Sequence, residues 1–131
     1  ATWIVKVQCE KKPEAQLLGS AIGMKVMEDV PYITGMNKWL GTELTDGLVA
    51  AGKAHGFDLK VSGEPALFYL RIANDDSLML HQEWVAECVS RGLFITSHHN
   101  HFINYSLTDE DIKFTLDVAD EAFSVVKDRH S

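Results

Sequence analysis

Three histidines within four residues are the side chains of this sequence best suited to chemistry: His98, His99 and His101 follow the apolar stretch 93–96. Residues two apart on an extended segment point to the same side, so His99 and His101 could bind a transition metal together. No third ligand with suitable spacing accompanies them. The pattern therefore favours a polar, partly exposed loop, and we predict no metal site.

Arg71 is a second candidate, because it lies inside an apolar segment. A guanidinium can bind a substrate carboxylate through two parallel hydrogen bonds. The alternation of the segment places Tyr69 and Arg71 on one side and Phe68, Leu70 and Ile72 on the other. The favoured interpretation puts Arg71 on the solvated face of a sheet.

Other groups that could do chemistry have simpler structural explanations. Thr108 can cap a helix, with Asp111 completing a capping box, and the acidic run 109–111 suits the positive end of the helix dipole. Lys38, Lys53 and Lys60 lack the flanking residues typical of an imine-forming lysine. We therefore assign no catalytic residue to this chain.

Composition excludes several classes of protein. The chain has 131 residues and a formal net charge of −7, which argues against nucleic acid as a partner. No apolar run approaches the ~20 residues of a membrane span, and the first residues do not resemble a signal peptide. Cys9 and Cys88 stand in no metal or redox spacing, so Cys88 is predicted to be a buried thiol. These features favour a cytoplasmic protein without a membrane partner.

The elements that must position these residues follow from hydrophobic periodicity and turn residues. Pro31 is expected to separate the first two helices, Gly56 to end the second and Gly92 to end the third. The expected helices are 13–28, 34–55, 78–91 and one that follows Thr108, and the expected strands are 3–7, 57–61, 66–73 and 93–96, with turns at 62–65 and 74–77.

This order predicts an α+β fold: a small, mostly antiparallel sheet of three to four strands packed against about four helices. We expect one domain over residues 1–131, with 1–12 as an irregular or strand lead-in. Because the expected strands are few and short, we expect a single sheet with helices packed on one of its faces.

Several motifs, in this order and spacing, resemble the C-terminal small domain of class III pyridoxal-phosphate (PLP) aminotransferases, in particular the glutamate-1-semialdehyde aminomutase type. The motifs are RGLF at 91–94, HHNHFI at 98–103, TDEDI at 108–112, LGTEL at 40–44 with Gly47 and Leu48, and Ser62-Gly63 ahead of Phe68. Together they cover roughly residues 17–128.

The resemblance implies a PLP-transferase small domain whose parent binds PLP through a lysine in a separate large domain. A chain of this length cannot include that domain, so we expect no cofactor here and no activity alone. The implied partners are the large domain and a second copy of the protein. The resemblance also places His99 and Asn100 near the mouth of the active site and leaves Arg71 as a substrate-proximal candidate.

Two rival interpretations remain open. The chain could be a standalone α+β module that binds a small metabolite or another protein through the open face of its sheet. It could also be a metal-binding domain that uses the histidine cluster. A neighbouring coding segment with a lysine-bearing domain would favour the aminotransferase interpretation over both.

Overall fold

The computed structural model of the chain describes residues 19–104 and 106–131, with side chains described from residue 35 onward. Its elements are α1 (Gly19–Ala54), β1 (Leu59–Glu64), β2 (Leu67–Ile72), α2 (Met79–Ser90), β3 (His101–Phe102) and α3 (Asp109–Arg129). The predicted α+β class is confirmed. The predicted strand 3–7, the lead-in 1–12 and the expected helix start at Pro13 lie outside the described residues, and the single-domain boundary stays a prediction.

The described strands form one antiparallel sheet in the order β1-β2-β3. β1 and β2 pair from Leu59 opposite Ile72 to Glu64 opposite Leu67. Only Pro65 and Ala66 connect them, so the expected turn at 62–65 is wrong by two residues. The strand keeps its pairing through Gly63, whose φ of +93° lies in a region that L side chains rarely adopt.

The predicted strand 93–96 is also wrong. These residues form no strand, and the edge of β2 pairs instead with β3, with Phe102 opposite Leu67. Leu93 and Ile95 pack against the hydrophobic core. Their apolar character therefore reflects core packing rather than a place in the sheet.

α1 is a single helix of 36 residues, so the predicted break at Pro31 is wrong. A proline inside a helix removes one backbone hydrogen bond and crowds the preceding turn, at a cost of about 3 kcal/mol, yet α1 continues through Pro31. Leu40, Leu44 and Leu48, spaced one turn apart, are buried along one face of α1. Gly56, at φ +86°, follows the end of the helix as expected.

The core lies between one face of the sheet and the three helices. Phe68, Leu70 and Ile72 are buried on that face, whereas Arg71 is exposed, which confirms the predicted alternation of β2. Trp84 of α2 stacks on Phe123 of α3 with ring centroids 4.6 Å apart. No helix in the described residues is both long and apolar enough to cross a lipid bilayer.

Candidate functional site

Residues 93–100 form an irregular segment that leads from α2 to β3 and contains most of the predicted site residues. Gly92 has φ +89°, and the next N–H, that of Leu93, donates to the Cys88 carbonyl at 3.0 Å. The Tyr69 hydroxyl donates to the Ser97 carbonyl at 3.2 Å. The segment is therefore attached both to the end of α2 and to the open face of β2.

His101, the first residue of β3, holds this segment against the sheet. Its Nε2 accepts a hydrogen bond from the Thr96 N–H at 3.2 Å, and its ring stacks on Phe68 with centroids 5.3 Å apart. Burial lowers the pKa of His101, while the backbone of Phe68 acts in the opposite direction. A neutral ring that accepts at Nε2 carries its proton on Nδ1, and that buried atom has no hydrogen-bond partner among the described residues.

The other residues of the predicted loop are exposed. His98 and His99 lie at the surface beside Asn100, and His98 Nδ1 pairs with the Ser97 hydroxyl. The carbonyl of His99 accepts a hydrogen bond from the Thr96 hydroxyl at 3.3 Å. The side chains of His99 and Asn100 therefore face solvent and can meet a ligand or another domain.

Arg71 lies in β2, directly opposite Lys60 of β1. Its guanidinium is half exposed and approaches Asp76 at 3.9 Å, the limit of an ion pair. The Tyr69 side chain, two residues earlier on the same face, contacts the loop at Ser97. Arg71 thus lies on the same sheet face as Tyr69, and its ion pair is with Asp76 rather than with the histidine loop.

His81, in the first turn of α2, differs from the exposed histidines of the loop. It is fully buried, and within the part of the chain that the structure describes neither ring nitrogen has a hydrogen-bond partner. Burial lowers its pKa, Asp75 opposes that effect, and His101, His98 and Arg71 lower it further. Burial also opposes ionisation of Asp75, but hydrogen bonds, among them one from the His81 N–H at 2.8 Å, outweigh it and lower the pKa of that carboxyl.

A cavity of about 160 Å³ lies beneath the irregular segment. Apolar side chains of the core, the segment and β3 line it, and these include Leu48, Leu70, Leu93, Phe94, Phe102 and Leu107. Phe94 is 83 % exposed and Phe102 is 71 % exposed. Sequence analysis missed this site, because strand alternation does not indicate which apolar side chains remain uncovered.

The described residues do not fit PLP. Each lysine whose side chain the structure describes is exposed at the surface, namely Lys38, Lys53, Lys60, Lys113 and Lys127. An imine-forming lysine is normally desolvated, so that its amine can be neutral. Among the residues with described side chains, no group of three histidine, cysteine or acidic residues is placed to hold a metal ion.

Comparisons with known proteins provide the wider context. The chain is 29 % identical over 103 residues to an aminopentol aminotransferase from Sphingopyxis macrogoltabida. The chain is homologous to an aminotransferase. It also superimposes on the structure of the PLP internal aldimine form of the FumI protein from Sphingopyxis sp. MTA144, with a TM-score of 0.77 and 28 % identity over 85 % of this chain. No protein-family model matches the chain.

The homologous region is extensive in this chain but short in its relatives. The match to the curated relative covers 79 % of this chain and 24 % of that relative. The match to the solved structure covers 85 % of this chain and 27 % of the solved one. The chain therefore spans about a quarter of the length of these relatives. The predicted kinship with PLP-dependent aminotransferases is confirmed, and the aminomutase type stays a prediction.

Proposed function

We propose that this chain is the C-terminal small domain of a class III PLP-dependent aminotransferase. The observation that carries the proposal is the TM-score of 0.77 over 85 % of the chain to a protein in its PLP internal aldimine form. The motif order from the 40–44 helix to the 108–112 cap supports the same assignment. PLP, when bound in the parent, supplies the electron sink for amino-group chemistry.

The role of this chain in that parent is to cover the active site and orient substrate. His99 and Asn100 offer hydrogen-bonding groups from the exposed loop, and Arg71 offers a guanidinium on the adjacent sheet face. A carboxylate on the substrate could form two parallel hydrogen bonds with Arg71. Covering the cleft would exclude water, which strengthens these polar interactions.

The specific reaction type is inferred from the resemblance of the sequence motifs to one branch of the family. We propose a reaction of the glutamate-1-semialdehyde aminomutase type, in which an amino group moves within one small molecule. The relative from Sphingopyxis macrogoltabida is named for aminopentol. An amine substrate of that kind, without the carboxylate, is the alternative, and it would leave Arg71 without a substrate role.

The proposed partners are the lysine-bearing large domain and a second copy of the parent, in a cytoplasmic enzyme. The isolated chain is proposed to be inactive, since every lysine with a described side chain is exposed. Incubation with PLP, reduction with borohydride and peptide mapping would test this. Loss of a PLP absorbance band with labelling of one specific lysine of this chain would contradict it.

Activity of the parent enzyme tests the site residues. Arg71→Ala should raise KM for a carboxylate-bearing substrate by about 10- to 100-fold, as expected for loss of a charge-assisted hydrogen bond. Lys60→Ala is the matched control, because it removes a cation directly opposite Arg71 in the neighbouring strand. Equal increases in KM for the two variants would mean that loss of any positive charge on this face weakens substrate binding. That result would contradict a specific role for Arg71.

A protein-binding module is the second candidate function, and the exposure of Phe94 and Phe102 favours it. The gene around this chain distinguishes the two candidates. An adjoining segment that encodes a lysine-bearing PLP domain supports the aminotransferase. A gene that encodes this domain without such a segment supports the binding module.

A further inference from the structure

We propose that His101 is a positioning residue for the substrate-proximal residues His99 and Asn100. Its neutral ring holds Thr96, Thr96 holds the backbone of His99, and protonation of the ring breaks the first of these contacts. The inference rests on the proposed function and deepens it, since it names the group that orients the two residues and the condition that releases them.

Thr96 connects the ring of His101 to the histidine loop. Its N–H donates to His101 Nε2 at 3.2 Å, and its hydroxyl donates to the His99 carbonyl at 3.3 Å. The side chains of His99 and Asn100 are exposed, so the backbone that carries them sets their direction. Loss of the hydrogen bond to the ring would therefore free Thr96 and, with it, the backbone at His99.

The sheet holds the ring and the segment in register with each other. His101 pairs with Phe68 across β2 and β3, and the two rings stack with their planes 18° apart, which keeps Nε2 at the segment. On the opposite face of β2, the Tyr69 hydroxyl donates to the Ser97 carbonyl. Of these two contacts, only the one to His101 can titrate near neutral pH, because a tyrosine hydroxyl titrates near pH 10.

Protonation of the ring removes the acceptor that Thr96 uses. A neutral imidazole has one nitrogen that accepts and one that donates, whereas both nitrogens of an imidazolium donate. In the protonated ring an N–H of His101 would point at the N–H of Thr96, and two donors repel each other. The contact therefore exists only while His101 is neutral.

The surroundings of His101 keep its ring neutral at neutral pH. Burial lowers the pKa of His101, against an opposing effect of the Phe68 backbone. The ring therefore gains its proton only as the pH falls below the ordinary histidine value of about 6.5. The contact with Thr96 is complete above that value and is lost below it.

The titratable groups near the ring do not favour its protonation. His81, on α2, interacts with His101, and each of the two rings disfavours a charge on the other. Asp75, His98 and Arg71 in turn act on His81. The cavity residues that pack beside His101 from the three helices carry no titratable group: Leu44, Leu48, Trp84 and Thr115. No carboxylate among the described residues raises the pKa of His101.

Nuclear magnetic resonance of this chain tests the proposal without the parent enzyme. At pH 8 the nitrogen chemical shifts of His101 should show a neutral ring with its proton on Nδ1. As the ring titrates below about pH 6.5, the exchange protection of the Thr96 N–H should fall about 10-fold, after correction for the intrinsic exchange rate. The Leu93 N–H, which donates to the Cys88 carbonyl, is the internal control and should keep its protection. A proton on Nε2 at pH 8, or an equal fall at Leu93, would overturn the proposal.

Variants of this chain assign the titration to His101. His101→Gln keeps an acceptor at a similar reach and cannot be protonated in this range, so the protection of Thr96 should lose its pH dependence. His101→Phe keeps a ring on Phe68 without an acceptor, so the protection should be low at every pH. His55→Gln is the matched control, because it removes another partly buried histidine, which pairs with Asp120, and it should keep the wild-type pH dependence.

His81 is the competing titratable group, because it is buried and interacts with His101. His81→Phe should leave the fall in Thr96 protection in place. Loss of the fall in His81→Phe, together with its persistence in His101→Gln, would assign the effect to His81 and overturn the proposal.

Kinetics of the parent enzyme test the positioning role itself. In the wild type, kcat/KM for amino-group transfer should fall as the pH drops below about 6.5. His101→Gln should remove part of that fall, and His55→Gln should keep all of it. If His101→Gln instead lowered kcat/KM by the same factor at every pH, the role of His101 would be structural only and the proposal would be overturned.

The outcomes separate this inference from the proposed function. If the parent transfers amino groups while Thr96 keeps its protection through the titration of His101, the positioning role alone is overturned. Absence of a lysine-bearing domain from the gene would overturn the proposed function, and with it the role of His99 and Asn100. The loss of the Thr96 hydrogen bond on protonation would still be measurable in this chain.

Discussion

Substitution of Gly41 by alanine should destabilise the domain, although alanine is the better helix former. Gly41 is buried where α1 crosses the β1–β2 turn. A Cβ at this position would lie 1.8 Å from the Pro65 carbonyl oxygen and 2.5 Å from its carbon. Both obstructing atoms belong to the backbone of the turn, so no side-chain rotation can relieve the clash.

The expected magnitude follows from two opposing effects. Replacing glycine by alanine inside a helix stabilises by about 1 kcal/mol. Forcing extra atoms into a packed contact costs about 1–3 kcal/mol, and the backbone clash at Gly41 places the cost at or above the upper end of that range. A net loss of about 2 kcal/mol would lower the urea midpoint by about 1 M, for a slope of about 2 kcal/mol/M.

Urea unfolding followed by circular dichroism is the assay, and α1 provides matched controls. At Gly35 an added Cβ meets nothing within 4 Å, so Gly35→Ala should stabilise by up to about 1 kcal/mol. At Gly47 the Cβ meets the flexible side-chain end of Leu116 at 2.6 Å. The stability of Gly47→Ala should therefore lie between the stabilities of Gly35→Ala and Gly41→Ala. A Gly41→Ala protein as stable as Gly35→Ala would refute the close contact between α1 and the turn.

Three further predictions concern buried or capping groups. Burial lowers the pKa of His81 despite the opposing effect of Asp75, so protonation of this ring favours unfolding. The free energy of unfolding should therefore be greatest above about pH 6.5 and should fall as the pH drops below that value. In urea unfolding, His81→Phe should reduce that fall. Thr108→Ala should cost about 1 kcal/mol by the same assay, because it removes the hydroxyl that accepts the Asp111 N–H in the capping box. Burial raises the pKa of Cys88 to about 12, so in a Cys9→Ser background the thiol should react with a disulfide reagent at pH 8 only as fast as the protein opens.

Each of these predictions has its own control. His101 also has a pKa lowered by burial, so His81→Phe should flatten the acid side of the stability curve only in part. Unchanged acid sensitivity in His81→Phe would contradict the role of His81. Thr42→Ala, at an exposed helical position, should cost far less than Thr108→Ala. Immediate, complete reaction of Cys88 in folded protein would contradict its burial.

Local signals in the sequence predicted much of the fold. The capping box at Thr108 forms as expected, with both of its hydrogen bonds, because a cap depends on residues only three apart. The ends of α1 and α2 at Gly56 and Gly92 and the alternation along β2 were predictable for the same reason. The resemblance of the motifs to PLP aminotransferases also agrees with the homology found.

The predictions of secondary structure were wrong where one local sequence pattern is compatible with two structures. Contacts with distant parts of the chain then decide which of the two forms. Leu93 and Ile95 look like strand residues, but the core uses their side chains, and the edge of β2 pairs with Phe102. Pro31 commonly ends a helix, yet α1 continues through it. The two-residue turn at Pro65–Ala66 is set by pairing along the whole hairpin, which the short turn motif did not predict.

The amino-acid sequence alone determined the class of this fold, the capping box at Thr108 and the resemblance to aminotransferases, because these depend on the types of neighbouring residues and their period. Tertiary structure alone decided which side chains stay uncovered. Phe94 and Leu93 are adjacent apolar residues, yet Leu93 packs against the core and Phe94 points to solvent. Burial is a property of the surroundings that distant segments provide, so no local pattern could distinguish these two residues.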